Sequence, residues 1–546
     1  MALDVDSPAG VDLKPIAKVT GWGPPAELIA LADWAAWRWA GTPAHFLRTA
    51  SPPAAVRGLP PRARRGAPAH GVEDPLAAEA LAAGRAVLRL PPSADAFPLV
   101  LQSAALGPTL VVCASHAQER HLAARLTRVG LTVARMPRDW ARARAGADVV
   151  IGARASAWAP VDDLAAVVVL DEHEELHQEE ASPTWHARDV AIERAARAGV
   201  PCVLSSPCPS LPALAWGRLV EPSRSAERAG WPVVDVVDRR KEDPLRSDLY
   251  SEKLVELVRS GKKVVCVLNR KGRAAMLACA QCNELARCEA CGSAVVLGEG
   301  GTDLVCKRCA TTRPVICLAC GSSKLKQRRI GVTRAREDLE RLAGVPVGEV
   351  TGDSGDVPFA QVLVGTEAVL RRVDQADAVA FLDLDAELLA PRYRAGEEAM
   401  ALVARGARLV GGKGSPGVQG GGPRSPGVQG GGPRSDGRLL LQTRMPKHEV
   451  VQAALLADPA RVADVELERR TILRFPPVTA LAHISGAPAG EYVGALGGRR
   501  DVEVLGPAAD GSYLVRAADV SVLCDALAET PRPGGRLRIA VDPMRL

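Results

Sequence analysis

Aromatic side chains are scarce in this 546-residue chain: 9 Trp, 5 Phe and 4 Tyr make up 3% of it. So few rings leave little for a surface that holds successive bases by stacking. No stretch approaches the ~18 consecutive apolar residues of a membrane span, and MALDVDSPAG at the start has no basic segment followed by an apolar one, so neither a bilayer nor a secretory route is expected. Charge of one sign is lacking as well. With 69 Lys and Arg against 63 Asp and Glu the net charge is +6, so no field covers the whole molecule and only local clusters count. The chain also contains no Gly-Lys-Ser/Thr, the ending of a loop whose backbone N–H groups and Lys cradle a nucleotide's phosphates.

What is present is cysteine in a pattern. Eight of the 13 cysteines form four C-x-x-C pairs: Cys279/Cys282, Cys288/Cys291, Cys306/Cys309 and Cys317/Cys320. Each pair can put two thiolates on one metal, and tetrahedral zinc takes four sulfurs, so two closed four-cysteine zinc sites are expected. The inner pairs enclose two short apolar runs joined by a Gly-rich turn, a zinc ribbon whose two ends share one ion (Cys288, Cys291, Cys306, Cys309). The outer pairs (Cys279, Cys282, Cys317, Cys320) most simply clamp the base of that hairpin with a second zinc. A disulfide framework is the alternative, and it suits an oxidising compartment that nothing else in the chain suggests. The other cysteines (Cys113, Cys202, Cys208, Cys266, Cys524) lie in apolar segments and read as buried small hydrophobes.

At this length, with 47% hydrophobic content, three or four domains are expected. The N-terminal PAELIALADWAAWRWAGTPAHFLRTA has helical spacing, and residues 53–75 read as a connector. Short apolar runs then alternate with Ala/Arg/Leu segments: PLVL (98–101), TLVVCAS (109–115), DVVIGA (148–153), AAVVVLDE (165–172) and PCVLSS (201–206). That is the alternation of a buried parallel sheet. A second series starts at KKVVCVLNR (262–270), is interrupted by the cysteines, and resumes through RRIGV, PVGEVT, QVLVGT and VAFLDLD to LLLQT (439–443). The fold class is therefore α/β, with two lobes, an inserted two-zinc module and a small C-terminal α+β domain built on VEVLGP, YLVRA and RLRIAV. SPGVQGGGPR, repeated in tandem at 415–424 and 425–434, has the composition of a flexible linker.

VVVLDEHEE (167–175) at a strand end, a two-zinc insertion after VLNRKG (267–272), CGS at 320–322, VVIGARASAWAP (149–160), WHARDVA (185–191), QVLVGTEAV (361–369) and ERRTILRFPPVTALA (468–482) form a constellation. Together they resemble the PriA family of primosomal replication-restart proteins. The resemblance implies RecA-like lobes of the superfamily 2 helicase type and the same pairing of the eight zinc ligands. It divides the chain into a partial N-terminal DNA-binding domain (1–52), a linker (53–86), lobe 1 (87–222), lobe 2 (223–278 and 321–443, with the repeat linker at 411–437), the zinc module (279–320) and the C-terminal domain (444–546). It also implies a cytoplasmic, nucleoid-associated protein of DNA replication, repair and recombination. Forked or single-strand/double-strand junction DNA, other primosome proteins, single-strand DNA-binding protein and the replicative helicase are its implied partners.

The motor motifs depart from the family. The place of the phosphate loop reads PLVLQSAALGPTL (98–110), the acidic motif has become Asp171-Glu172-His173-Glu174, the coupling motif reads SSPCPS (205–210), and the arginine-finger run reads GARLVGGKG, with Arg405 and Arg408 near but out of pattern. Without a phosphate cradle the acidic cluster reads as a relic or a helix N-terminal cap, no catalytic residue is assigned, and ATP/Mg²⁺ binding is not expected. In these departures the chain resembles the degenerate, helicase-inactive form of the family typical of high-GC bacteria, which implies a protein that is not a helicase. Two alternatives stand beside it: an active ATP-dependent 3′-to-5′ DNA helicase, and a zinc-ribbon interaction scaffold with no DNA role. For DNA the candidates are a basic group around the cysteines, Arg270, Lys271, Arg273, Lys307, Arg308, Arg313, Lys324, Lys326, Arg328 and Arg329, suited to phosphate contacts, with Trp185 as the one ring left for stacking.

Overall fold

The computed structural model describes residues 21–62, 73–241, 249–269, 277–282, 284–298, 300–327, 331–412 and 437–545. The 415–434 tandem and Arg270, Lys271, Arg273, Arg328 and Arg329 lie outside the described residues.

Lobe 1 is a seven-stranded parallel sheet. Its strands are β1 (Arg85–Arg89), β2 (Thr109–Val112), β3 (Val133–Arg135), β4 (Val149–Gly152), β5 (Ala166–Val169), β6 (Cys202–Ser206) and β7 (Arg218–Val220), in the order β3-β4-β2-β5-β6-β1-β7. TLVV, VVIG and AVVV are continuous β-branched runs because both faces of the sheet are covered, and every residue of these three strands is buried. On one face pack Leu99, Leu122 and Leu126 with Val111 and Val168. On the other, Trp140, Trp158 and Trp185 pack with Val150 and Val167.

Lobe 2 opens with β8 (Val233–Asp238) and β9 (Val264–Val267). The cysteine module follows, with β10 (Leu277–Cys279), β11 (Val295–Leu297), β12 (Asp303–Cys306), β13 (Thr312–Pro314) and β14 (Leu325–Gln327). The lobe resumes through β15 (Val347–Val350), β16 (Val362–Gly365), β17 (Ala378–Phe381) and β18 (Arg438–Thr443), giving a parallel sheet of order β15-β16-β9-β17-β18-β8. The C-terminal unit is antiparallel, β20-β21-β19-β22, from β19 (Ala480–Ser485), β20 (Val502–Leu505), β21 (Tyr513–Ala517) and β22 (Arg538–Val541). Two parallel α/β lobes, an inserted cysteine module and a small α+β unit are the architecture the sequence implied.

Helices Ala26–Arg38 and Pro43–Ala50 share one apolar core with lobe 1 and the C-terminal unit, through Leu28, Leu31, Ala35 and Phe46 beside Trp158, Tyr492 and Leu523. Arg38 fixes that junction by pairing with Asp542 at 2.5 Å and with Asp189 at 3.6 Å.

Two strand readings are corrected. PLVL is not a strand but part of helix Phe97–Leu106, which has Pro98 in its first turn and ends at Gly107, φ 144°. Proline is well tolerated in a first turn, and the Asp95 carboxylate accepts the Phe97 N–H at 3.0 Å just ahead of it. Val332, at the end of RRIGV, starts helix Val332–Ala343. The first strand of lobe 1, β1, begins two residues before the boundary read at 87, and the stretch read as linker also holds helix Pro75–Ala82, capped by Asp74.

Candidate metal centres and the cleft between the lobes

Strand pairing brings the four cysteine pairs into two groups. β10 pairs with β14 and β11 with β12, each antiparallel, so knuckles distant in sequence face each other. Cys279, Cys282, Cys317 and Cys320 form one group and Cys288, Cys291, Cys306 and Cys309 the other, with all sulfurs of a group within 4.8 Å of one another. Across each group the sulfurs approach to 3.5–3.6 Å. That is far longer than a disulfide of about 2.05 Å, and close to the edge of about 3.8 Å of a tetrahedron with zinc–sulfur bonds of about 2.3 Å. Burial opposes ionisation of Cys279, yet backbone N–H groups of Cys282 and Gln281 and the neighbouring thiols outweigh it and draw the pKa down to about 6. Cys309 is likewise drawn to about 6, against burial, by Thr311. Such a donor set fits a thiophilic, tetrahedral cation.

The module is seated on lobe 2. Ser293 Oγ and the Ala294 N–H both donate to the Leu389 carbonyl, at 3.2 and 3.0 Å, and Ala278, Leu285 and Ala294 pack on Ala386 and Leu389. Lys307, Lys324 and Lys326 are exposed on it, while Arg308 is half-buried. Arg313 donates to the carbonyls of Ile316 (2.6 Å) and Arg287 (3.2 Å), so its fork is engaged in holding the module's own backbone. Trp185 is a correction. It is 2% exposed and meets the Trp158 ring edge-on at 6.0 Å, so its faces are spent in the core rather than offered to a base.

The second site lies between the lobes, at the carboxyl ends of β1, β5 and β6, the edge of a parallel sheet where ligands bind. The loop after β1 is residues 90–96, LPPSADA, so the phosphate-loop position is there and not at 98–110. Pro91 and Pro92 have no N–H to offer a phosphate, Asp95 is acidic and held by Arg125 at 2.6–2.8 Å, and the Ser93 and Ala94 N–H groups are spent on the Gly230 and Pro91 carbonyls.

Glu174 stands at the N-cap of the short 3-10 turn Glu175–His177 but makes no side-chain capping bond there, and the motif's carboxylates turn to other partners. Asp171, at φ 53°, turns its carboxylate toward lobe 2, where Arg408 grips it bidentately at 2.6 and 2.7 Å, and Gln118 donates to it at 2.7 Å. Arg408 also donates to the Pro92 carbonyl at 3.2 Å, so one guanidinium bridges the acidic motif and the loop after β1. Glu172 accepts from the Ser210 N–H (2.7 Å) and hydroxyl (2.8 Å). Glu174 accepts from both forks of Arg405, with Nε at 2.9 Å, and lies 3.7 Å from Arg371. Burial would push both acids up, but Arg408 holds Asp171 well below the carboxylate range, and Arg405 holds Glu174 at about 2. Arg405 and Arg408 are one turn apart on helix Ala395–Val410. Their spacing is the signal that could have paired them with Asp171 and Glu174, which are three apart in lobe 1.

No family model matches the chain. Curated relatives do. The replication restart protein PriA of Bacillus subtilis is 25% identical over 369 residues, covering 62% of this chain and 43% of that protein. The probable replication restart protein PriA of Mycobacterium tuberculosis (strain CDC 1551) is 28% identical over 461 residues, 79% of this chain and 65% of the relative. The chain is similar in sequence to the PriA replication restart proteins. It spans less than two thirds of their length. Among solved structures, a DEAD box protein from Methanococcus jannaschii is similar at TM-score 0.32 and 9% identity, covering 68% of this chain and 86% of its own. Dbp5 of S. cerevisiae bound to RNA and ADP BeF3 is similar at 0.38 and 11%, covering 73% and 93%. Scores this low carry no argument about function. Among the described residues no helix is long and apolar enough to cross a membrane.

Proposed function

We propose that this protein is a replication-restart primosome component that holds two structural zinc ions, binds forked DNA through phosphate contacts from its zinc module, and helps reload the replicative helicase without being a helicase itself. The place in primosome function follows the PriA relatives. The single observation that favours a non-motor is the Arg408 guanidinium, which takes the position between Asp171 and the loop after β1 that a nucleotide's phosphates and Mg²⁺ would need. Cys279, Cys282, Cys317 and Cys320 would hold one zinc, and Cys288, Cys291, Cys306 and Cys309 the other. A closed site of four thiolates supplies folding free energy rather than chemistry.

Phosphate turnover by the purified protein, measured with and without forked DNA, tests the reading. No DNA-stimulated hydrolysis is expected. Hydrolysis that forked DNA stimulates, and that Asp171→Ala with Glu172→Ala abolishes, would favour the active helicase. Absence of fork binding at any salt concentration would leave the protein-interaction scaffold.

A further inference from the structure

The cleft between the lobes is built like a joint that has been closed from within. In a two-lobe motor the lobes approach when nucleotide bridges them and part when it leaves, so strong protein–protein pairs across the cleft oppose that cycle. Here the cleft is full of them. Asp171 of lobe 1 takes a bidentate fork from Arg408, and Glu174 takes another from Arg405, with Arg371 as a third cation. A third carboxylate faces the other way: Glu397 of lobe 2 accepts the Leu211 N–H of lobe 1 at 2.8 Å.

Geometry separates this set from scattered surface pairs. Glu174 and Arg405 are 7% and 12% exposed, and Asp171 is 7% exposed; Arg371, at 29%, and Arg408, at 41%, reach solvent at the cleft mouth. An exposed single pair contributes little, but bidentate forks sharing one helix fix orientation as well as energy. Breaking one partner leaves a buried carboxylate uncompensated.

We propose that helix Ala395–Val410 is a latch: Arg405 and Arg408, clamped on Glu174 and Asp171, hold the two lobes in one arrangement that no longer answers to nucleotide, so the former gating joint is a rigid hinge-less core for the modules around it. This shares with the functional reading the absence of a nucleotide cycle, and is independent of any role in DNA binding or primosome assembly.

Amide hydrogen exchange on the full chain tests it, read in peptides covering 89–97, 170–178 and 395–410. In the parent, exchange there should be slow and unchanged by MgATP. Arg408→Glu sets like charges face to face and should speed exchange in all three segments by roughly tenfold or more, and Asp171→Arg combined with Arg408→Glu should restore most of the protection. Should Arg408→Glu fail to fold by circular dichroism, Arg408→Gln, which removes the charge and keeps much of the volume, should give the same direction of change. Altered exchange in these segments on adding MgATP to the parent, or no change in either Arg408 variant, would overturn the latch. Fork binding measured on the same samples reads the functional proposal separately, since a latched parent that ignores DNA sinks that proposal alone.

Discussion

Glu398 is the residue at which the inter-lobe charge system answers to pH. It faces Arg392 at 2.5 Å, but only 12% of its side chain is exposed, with Glu175 and Glu387 near it and Arg394 beyond. Burial is the dominant influence and, with the two acids, outweighs the arginines, pushing Glu398 up to about 7 from an ordinary 4.5. A carboxyl raised in the fold contributes stability that is fully present below the unfolded value and disappears as pH rises through the folded one. Glu398 should therefore cost the protein stability between pH 4.5 and about 7. Glu174 and Glu397, both held at about 2 mainly by Arg405 and by Arg470 against burial, act in the other direction and on the acid side of that window, losing their contribution as pH falls from 4.5 toward 2. Glu398→Gln should then be more stable than the parent above neutrality, on the order of 1–3 kcal/mol, and equal to it in mild acid. Thermal unfolding of both proteins across the window measures this; parallel pH profiles would show that Glu398 is ionised throughout.

At the scale of elements, the legible parts were those whose chemistry is written in spacing. Four C-x-x-C pairs named both cysteine groups before any coordinates, because metal-ligand spacing is local and β10–β14 only has to bring the knuckles together. TLVV, DVVIG and AVVV were legible as strands because a sheet covered on both faces requires unbroken β-branched runs. PLVL was not, since a short apolar run has no period to show, and helix Phe97–Leu106 is recognised by Pro98 in its first turn and by its length. That one error displaced the phosphate-loop position from 90–96 to 98–110. The pairing of Arg408 with Asp171 was illegible for another reason: 237 residues separate the partners, and only the docking of two lobes brings them together. The cysteine groups carry their own prediction. Metal analysis of the folded protein should return two zinc ions, and Cys288→Ser or Cys306→Ser should lose one of them and unfold β11–β12, because a closed site's binding free energy is folding free energy. The group at Cys279, Cys282, Cys317 and Cys320 has separate ligands and should keep its ion. A protein that binds one zinc or none, or loses both ions in either variant, contradicts two independent sites.

For the whole molecule, the distribution of rings and charges decides how DNA could be held. Five of the nine tryptophans went inward: Trp39, Trp140, Trp158, Trp185 and Trp231 are each at most 2% exposed. Stacking on these five rings is closed to DNA; Trp22, 47% exposed, and Phe359 stay at the surface, and the rest of what the surface offers is charge. On the cysteine module Lys307, Lys324 and Lys326 are exposed, and none of the three takes part in a salt bridge with a described acid, whereas Arg313 is committed to carbonyls at 2.6 and 3.2 Å. Lysines on a rigid platform are point charges for phosphate and read no sequence. Each phosphate they neutralise releases condensed counterions, so affinity should fall with salt by about 0.9 log units per log unit for each contact on duplex DNA. Changing Lys307, Lys324 and Lys326 together to Gln should weaken fork binding and lower the slope of log affinity against log salt by up to about 3, at unchanged zinc content and unchanged preference among sequences. A titration of forked DNA at several salt concentrations reads both quantities at once. If affinity and slope are the same for parent and variant, the lysines only solvate the module, and any phosphate contacts come from other basic residues.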